Sequence, residues 1–128
     1  MAGEKILVVD DSPTILEVVK QILTQEGYEV ETAATGIEGL NKAREAKPDL
    51  VILDVLLPGM QGYQVCRLLK FDQEYKNIPI IMYSSRDDEN DISTGMKQGA
   101  NAYLVKPVEP DTLIGAVKEQ LAKAKEEV

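Results

Sequence analysis

Histidine is missing from this 128-residue chain, and cysteine occurs once, as Cys66. Without an imidazole there is no Ser-His or Cys-His catalysis and no histidine zinc site. One thiol forms neither an internal disulfide nor a cysteine metal cluster. Cys66 therefore reads as a small core hydrophobe in a reducing, cytoplasmic setting. Basic residues are also few: 14 Lys and Arg stand against 22 Asp and Glu, a formal charge of −8. That balance argues against direct nucleic-acid binding, which needs basic patches, and against docking on an anionic membrane. No apolar run approaches the ~20 residues that span a bilayer. The start, Met1-Ala2-Gly3-Glu4-Lys5, lacks the layout of a signal peptide. Gly36-Ile37-Glu38-Gly39 lacks the glycine and lysine pattern of a phosphate-binding loop.

What is present is a soluble globular composition, 44% hydrophobic and 28% charged, in a chain long enough for one domain with a real core. Short apolar runs alternate with helical patterns five times. Ile6–Val9, Tyr28–Ala33, Leu50–Asp54, Ile78–Tyr83 and Ala102–Val105 read as strands. Ser12 and Pro13 open the first helix, whose apolar face is Ile15, Leu16, Val18, Val19, Ile22 and Leu23; Gly27 stops it. Thr35-Gly36-Ile37-Glu38 resembles a capping box and starts a helix with Ile37, Leu40 and Ala43 inward. After the Pro58–Gly62 loop, Tyr63 to Phe71 is the third helix. Acids at Asp87 to Asp91 begin a weaker fourth helix carrying Ile92 and Met96. Gly95 and Gly99 cost it roughly 1 kcal/mol each if helical. Pro110 opens the last helix, with Leu113, Ile114, Val117 and Leu121 inward and a polar, frayed end from Lys123 to Val128. Alternating strands and helices of these lengths predict a parallel sheet built from βαβ units.

The strand ends carry the chemistry. The first strand ends on Asp10-Asp11, the third on Asp54, the fourth on Ser84 and the fifth on Lys106-Pro107. In a parallel sheet these ends share one edge, the edge where open α/β sheets bind ligands. Three carboxylates brought together repel, and one resists ionising unless a cation intervenes. A hard divalent ion held by oxygens resolves the conflict, and Mg²⁺ suits a small open site completed by water or phosphate. Lys106 would pair with Asp54 until a phosphoryl group arrives.

This ordered set, with Pro58 and Gly62 beyond the central acid, resembles the receiver domain of two-component response regulators over about Glu4 to Leu121. The resemblance implies a flavodoxin-like, doubly wound (βα)5 fold with strand order 2-1-3-4-5, a single domain over residues 1–128 and no output domain. It implies that Asp54 accepts a phosphoryl group from a histidine kinase or histidine phosphotransfer protein. Asp11, Asp54 and the Leu56 carbonyl would bind Mg²⁺ directly, and Asp10 through water. Ser84 would hydrogen-bond the phosphoryl group and Lys106 would ion-pair with it. Tyr103 would be the aromatic switch, Lys106-Pro107 a cis bond, and Leu56 and Arg86 the positions that tune self-dephosphorylation. An apolar residue at one and a large cation at the other suggest slow hydrolysis. The output surface would be the fourth helix, fifth strand and fifth helix, acting on an unnamed protein target as a monomer or a phosphorylation-dependent dimer. Ser84 stands where threonine is commoner, and keeps the hydroxyl.

Two other readings compete. A small aspartyl-phosphate phosphatase would want a second acid two residues after its nucleophile, where this chain has Leu56. A pseudo-receiver, binding partners without phosphorylation, would not need the complete set of acids and lysine.

Overall fold

Every apolar run becomes a strand of one parallel sheet in the computed structural model, which describes residues 3–85 and 89–126. The strands are β1 (Lys5–Val9), β2 (Glu29–Ala33), β3 (Leu50–Leu53), β4 (Ile80–Ser84) and β5 (Ala102–Val105), ordered β2-β1-β3-β4-β5. Between and after them lie α1 (Pro13–Gln25), α2 (Gly36–Ala46), α3 (Gly62–Lys70), α4 (Glu89–Lys97) and α5 (Pro110–Glu126). β1, β3 and β4 are flanked on both sides, and their side chains divide by parity. Ile6, Val8, Leu50 and Ile52 pack with Val19 and Leu23 of α1 and Leu113 and Val117 of α5. Leu7, Val9, Val51 and Leu53 pack with Leu40 and Ala43 of α2 and Val65, Cys66 and Leu69 of α3. A strand alternates sides at every residue, so a continuous apolar run feeds two cores. Each fully buried aliphatic side chain contributes about 1.5–3 kcal/mol.

The helix starts follow the expected chemistry. Ser12 Oγ accepts from the Ile15 amide at 3.3 Å, and Thr35 Oγ1 accepts from the Glu38 amide at 3.0 Å. The return bond of the second cap goes one residue earlier than a capping box requires, from the Ala34 amide to Glu38 Oε1 at 2.8 Å.

Several expectations need correction. β4 begins at Ile80 rather than Ile78, because Pro79 has no N–H to donate and the Ile80 amide turns to Asn101 Oδ1 at 2.9 Å. Val18 and Ile37 face out, at 50% and 56% exposed. The inner face of α2 is carried instead by Gly36, Gly39, Leu40 and Ala43. Gly39 is there because a Cβ would meet the Val9 side chain at 2.7 Å. The expected frayed end is helical as far as Glu126, supported by Lys123–Glu119 at 3.2 Å and Lys125–Glu4 at 3.2 Å. Gly95 lies within α4, whereas Gly99 follows it with φ +104, a conformation that suits glycine.

Cys66 is a core residue, as expected, with burial pushing its thiol up to about 11. At pH 8 the folded protein should be alkylated by iodoacetamide at least about a hundredfold more slowly than a free thiol. Mass spectrometry of native and urea-unfolded samples checks this; fast native labelling would contradict the packing.

Candidate phosphate-handling site

The backbone places the site before the side chains act. The residue after each of three strands stays laddered to its neighbour: Asp10 N–H donates to Ala33 O at 3.0 Å, Asp54 N–H to Val9 O at 2.9 Å and Lys106 N–H to Ser84 O at 2.8 Å. The parallel register sets Leu53 beside Val9 and Met82, so Asp10 and Asp54 emerge side by side at one edge. Ser84 pairs with Val105, one residue before Lys106.

Asp10, Asp11 and Asp54 each bring an oxygen within 4.8 Å of the others; Asp10 and Asp54 are buried and Asp11 is exposed. Lys106 Nζ sits 2.7 Å from Asp10 Oδ2 and 3.4 Å from Asp54 Oδ2. The expected pair with Asp54 is therefore present, and Asp10 is a second, nearer partner. Each carboxylate spends its other oxygen on the turn that follows it. Asp10 Oδ1 accepts from the Ser12 amide at 2.9 Å, and Asp54 Oδ1 from the Leu56 amide at 3.3 Å. The lysine also lies over the Tyr83 ring, 5.0 Å from its centroid, a cation–π distance. The sequence reading missed Tyr83; its position just before the strand-end hydroxyl was the available signal.

Burial pushes the Asp54 carboxyl above the ordinary range, and the Asp10 charge adds to this against the pull of Lys106. Burial alone would lower the Lys106 ammonium. Its hydrogen bond to Asp10 and the charges of Asp54 and Asp10 outweigh that and raise it. The edge therefore holds two buried acids that share one cation, with Asp11 open to solvent beside them. Oxygen-only donors at this spacing, carrying more negative than positive charge, fit a hard divalent cation.

The remaining expected positions separate. Ser84 is buried at the end of β4 and Leu56 is 43% exposed just past Asp54. Lys106-Pro107 is cis. Arg86, with Asp87 and Asp88, lies outside the described residues. Tyr103 is half-buried on β5, packed with the α3-side core. A Cβ on Gly95 would stand 3.1 Å from the Tyr103 ring and 3.4 Å from that of Tyr63. Tyr63, which sequence reading left as a helix start, donates its hydroxyl to the Asp91 carbonyl at 2.9 Å and ties α3 to α4. Tyr63→Phe should lower stability by about 1 kcal/mol and speed amide exchange in α4, read by urea unfolding and hydrogen exchange.

A parallel sheet that gathers buried acids and a lysine where its strand order reverses has the layout of a phosphoryl-accepting switch domain. The model of the response regulator receiver domain matches residues 6–118, and the chain belongs to that family. PilH of Pseudomonas aeruginosa is 41% identical over 118 residues, 92% of this chain and 98% of that protein. The DNA-binding response regulator MtrA of Mycolicibacterium smegmatis is 38% identical over 124 residues, 97% of this chain. The chain spans about half the length of MtrA, 53%. A CheY-like receiver domain protein from Methanospirillum hungatei superposes with a TM-score of 0.92 at 35% identity, over 99% of this chain and 100% of that one. The chain is thus a receiver domain of two-component signalling. Receiver domains take phosphoryl groups from histidine kinases, act on downstream targets and bind Mg²⁺ at an acidic pocket. The phosphatase reading finds no support in these relatives. No helix among the described residues is long and apolar enough to cross a membrane.

Proposed function

We propose that Asp54 is the phosphoacceptor, loaded from a phosphohistidine on a cytoplasmic kinase or phosphotransfer protein. The observation that carries this is a carboxylate only 6% exposed, 3.4 Å from a lysine and clustered with two further acids at the carboxyl edge of the sheet. An oxygen of Asp54 attacks phosphorus, the N–P bond to the donor imidazole breaks, and an acyl phosphate forms. Asp11, Asp54 and the Leu56 carbonyl would hold Mg²⁺ directly and Asp10 through water. Mg²⁺, when bound, supplies charge neutralisation at the transferring group. Lys106 exchanges its carboxylate partners for a phosphoryl oxygen, and the Ser84 hydroxyl donates to another.

The new group adds roughly −1.5 to −2 charges and gives Ser84 and Lys106 a partner found in that state only. Ser84 then draws toward the phosphoryl group and Tyr103 turns inward, which changes α4, β5 and α5. Gly95 supports this role, since its missing side chain leaves room for the Tyr103 ring. Leu56 and Arg86 limit the attacking water, so hydrolysis is slow. The chain acts as one receiver unit on a protein target, as a monomer or a dimer formed on phosphorylation.

Incubation with acetyl phosphate and Mg²⁺ should add the mass of one phosphoryl group, lost on mild alkaline treatment, with no gain in metal-free buffer. A folded protein that never gains mass from any phosphodonor would leave a phosphorylation-independent binding module.

A further inference from the structure

The opposite edge of the sheet carries a second polar site. A cleft of about 170 Å³ opens where β4 and β5 begin, lined by Lys70, Lys76 and Lys123 with Asn77, Asn101 and Gln120. Among the described residues no carboxylate lines it, in a chain of net charge −8. Acids lie in the adjoining cleft instead, at Glu4, Asp49 and Glu74.

Its donors come from three parts of the fold. Lys70 ends α3 and is held by donating to the Ile78 carbonyl at 3.0 Å. Asn101 spends its oxygen on the Ile80 amide at 2.9 Å, which leaves its NH₂ group as a donor without a partner among the described residues. Gln120 is the telling residue: it is 6% exposed, and its amide has no hydrogen-bond partner among the described residues. No side-chain polar atom shut off from solvent lacks a partner among the described residues, so the Gln120 amide meets solvent where it lines the cleft and can donate to a ligand there. Lys123 also touches Glu119 at 3.2 Å, but both are more than half exposed, and such pairs are weak.

We propose that this cleft binds a small multivalent oxyanion of the phosphate class. Three ammonium groups supply the charge, and the Asn101 and Gln120 amides supply directional donors. The volume is below the roughly 300 Å³ at which pockets for drug-sized ligands begin, so the ligand is small. An anion seated there would tie the end of α3 and the lead-ins to β4 and β5 to the last turns of α5. The proposal does not depend on the assignment of Asp54.

Titration of the metal-free protein with pyrophosphate, at ionic strength matched with chloride and followed by amide NMR, tests it. Saturable one-to-one shifts are expected at residues 77, 101 and 120. The double substitution Lys76→Gln, Lys123→Gln should weaken binding by about tenfold or more, about 1.4 kcal/mol. The double substitution Lys20→Gln, Lys118→Gln removes the same charge elsewhere and should leave binding unchanged. Gln120→Met, similar in shape, should weaken binding without lowering the urea midpoint, which separates a ligand role from a packing role. Unsaturable shifts, an equal effect of both lysine pairs, or shifts centred on Lys106 would overturn the proposal.

Discussion

Asp54→Asn should end phosphoryl incorporation completely and, in the same protein, raise stability at neutral pH. The first half follows from chemistry. The amide oxygen is a poor nucleophile, and Asp10 is not a substitute because it is more deeply buried than Asp54, 1% against 6% exposed, and is held more tightly by Lys106, at 2.7 against 3.4 Å. Intact mass after acetyl phosphate and Mg²⁺ reads the result; labelling that persists would move the acceptor to another residue. The second half follows from burial. The folded carboxyl titrates above its ordinary value, so the folded state binds its proton more tightly than the unfolded state does. Stability is therefore lost as pH rises above the ordinary carboxyl range, because the buried charge costs the folded state more than the unfolded one. Asn keeps an oxygen for the Leu56 amide and lacks the charge. Urea midpoints in metal-free buffer should favour the variant at pH 7, with the gap closing as pH falls below about 3.9. A variant less stable at pH 7 would mean that Lys106 needs the Asp54 charge more than burial opposes it.

Gly62→Ala should lower stability by about 3 kcal/mol or more, and phosphoryl uptake with it. A Cβ at this position would overlap the Asp54 carbonyl oxygen and stand 2.9 Å from its carbonyl carbon and 3.0 Å from the Val55 Cα. All three are backbone atoms, so no side chain can swing away. Relief requires moving the segment that carries Asp54. The control is Gly115→Ala in α5, where a Cβ meets nothing within 4 Å; this change should stabilise by about 0.5–1 kcal/mol. Urea unfolding of the two variants gives opposite signs. Equal small effects would show that the Pro58–Gly62 loop yields more easily than its packing implies.

These two glycines show how far reading from sequence reaches. Both are plain in the sequence, yet nothing around them there separates a crowded one from an open one. The same holds for the lysines. Lys106 is marked by its place after an apolar run. The gathering of Lys70, Lys76 and Lys123 is invisible, because those residues come from different elements and meet only across the amino edge of the sheet. Val18 and Ile37 were misjudged because helical periodicity indicates a face without fixing its edges. The expected pairing of Lys106 with Asp54 is present, but the closer one with Asp10 was not legible: strand ends place residues near one another, and only distances of 2.7 and 3.4 Å rank them.

The order of residues alone determined the alternation of strands and helices, the parallel sheet and the convergence of Asp10, Asp11, Asp54, Ser84 and Lys106 on one edge. Those features follow from local periodicity and from strands that all point the same way. Only the tertiary structure decided that Lys106 favours Asp10, that Tyr83 lies beneath it, that Tyr63 ties α3 to α4, and that Gln120 faces a cleft of lysines. Those depend on side chains far apart in the chain meeting at fractions of an ångström, which the twist and packing of the whole sheet set and no local pattern encodes.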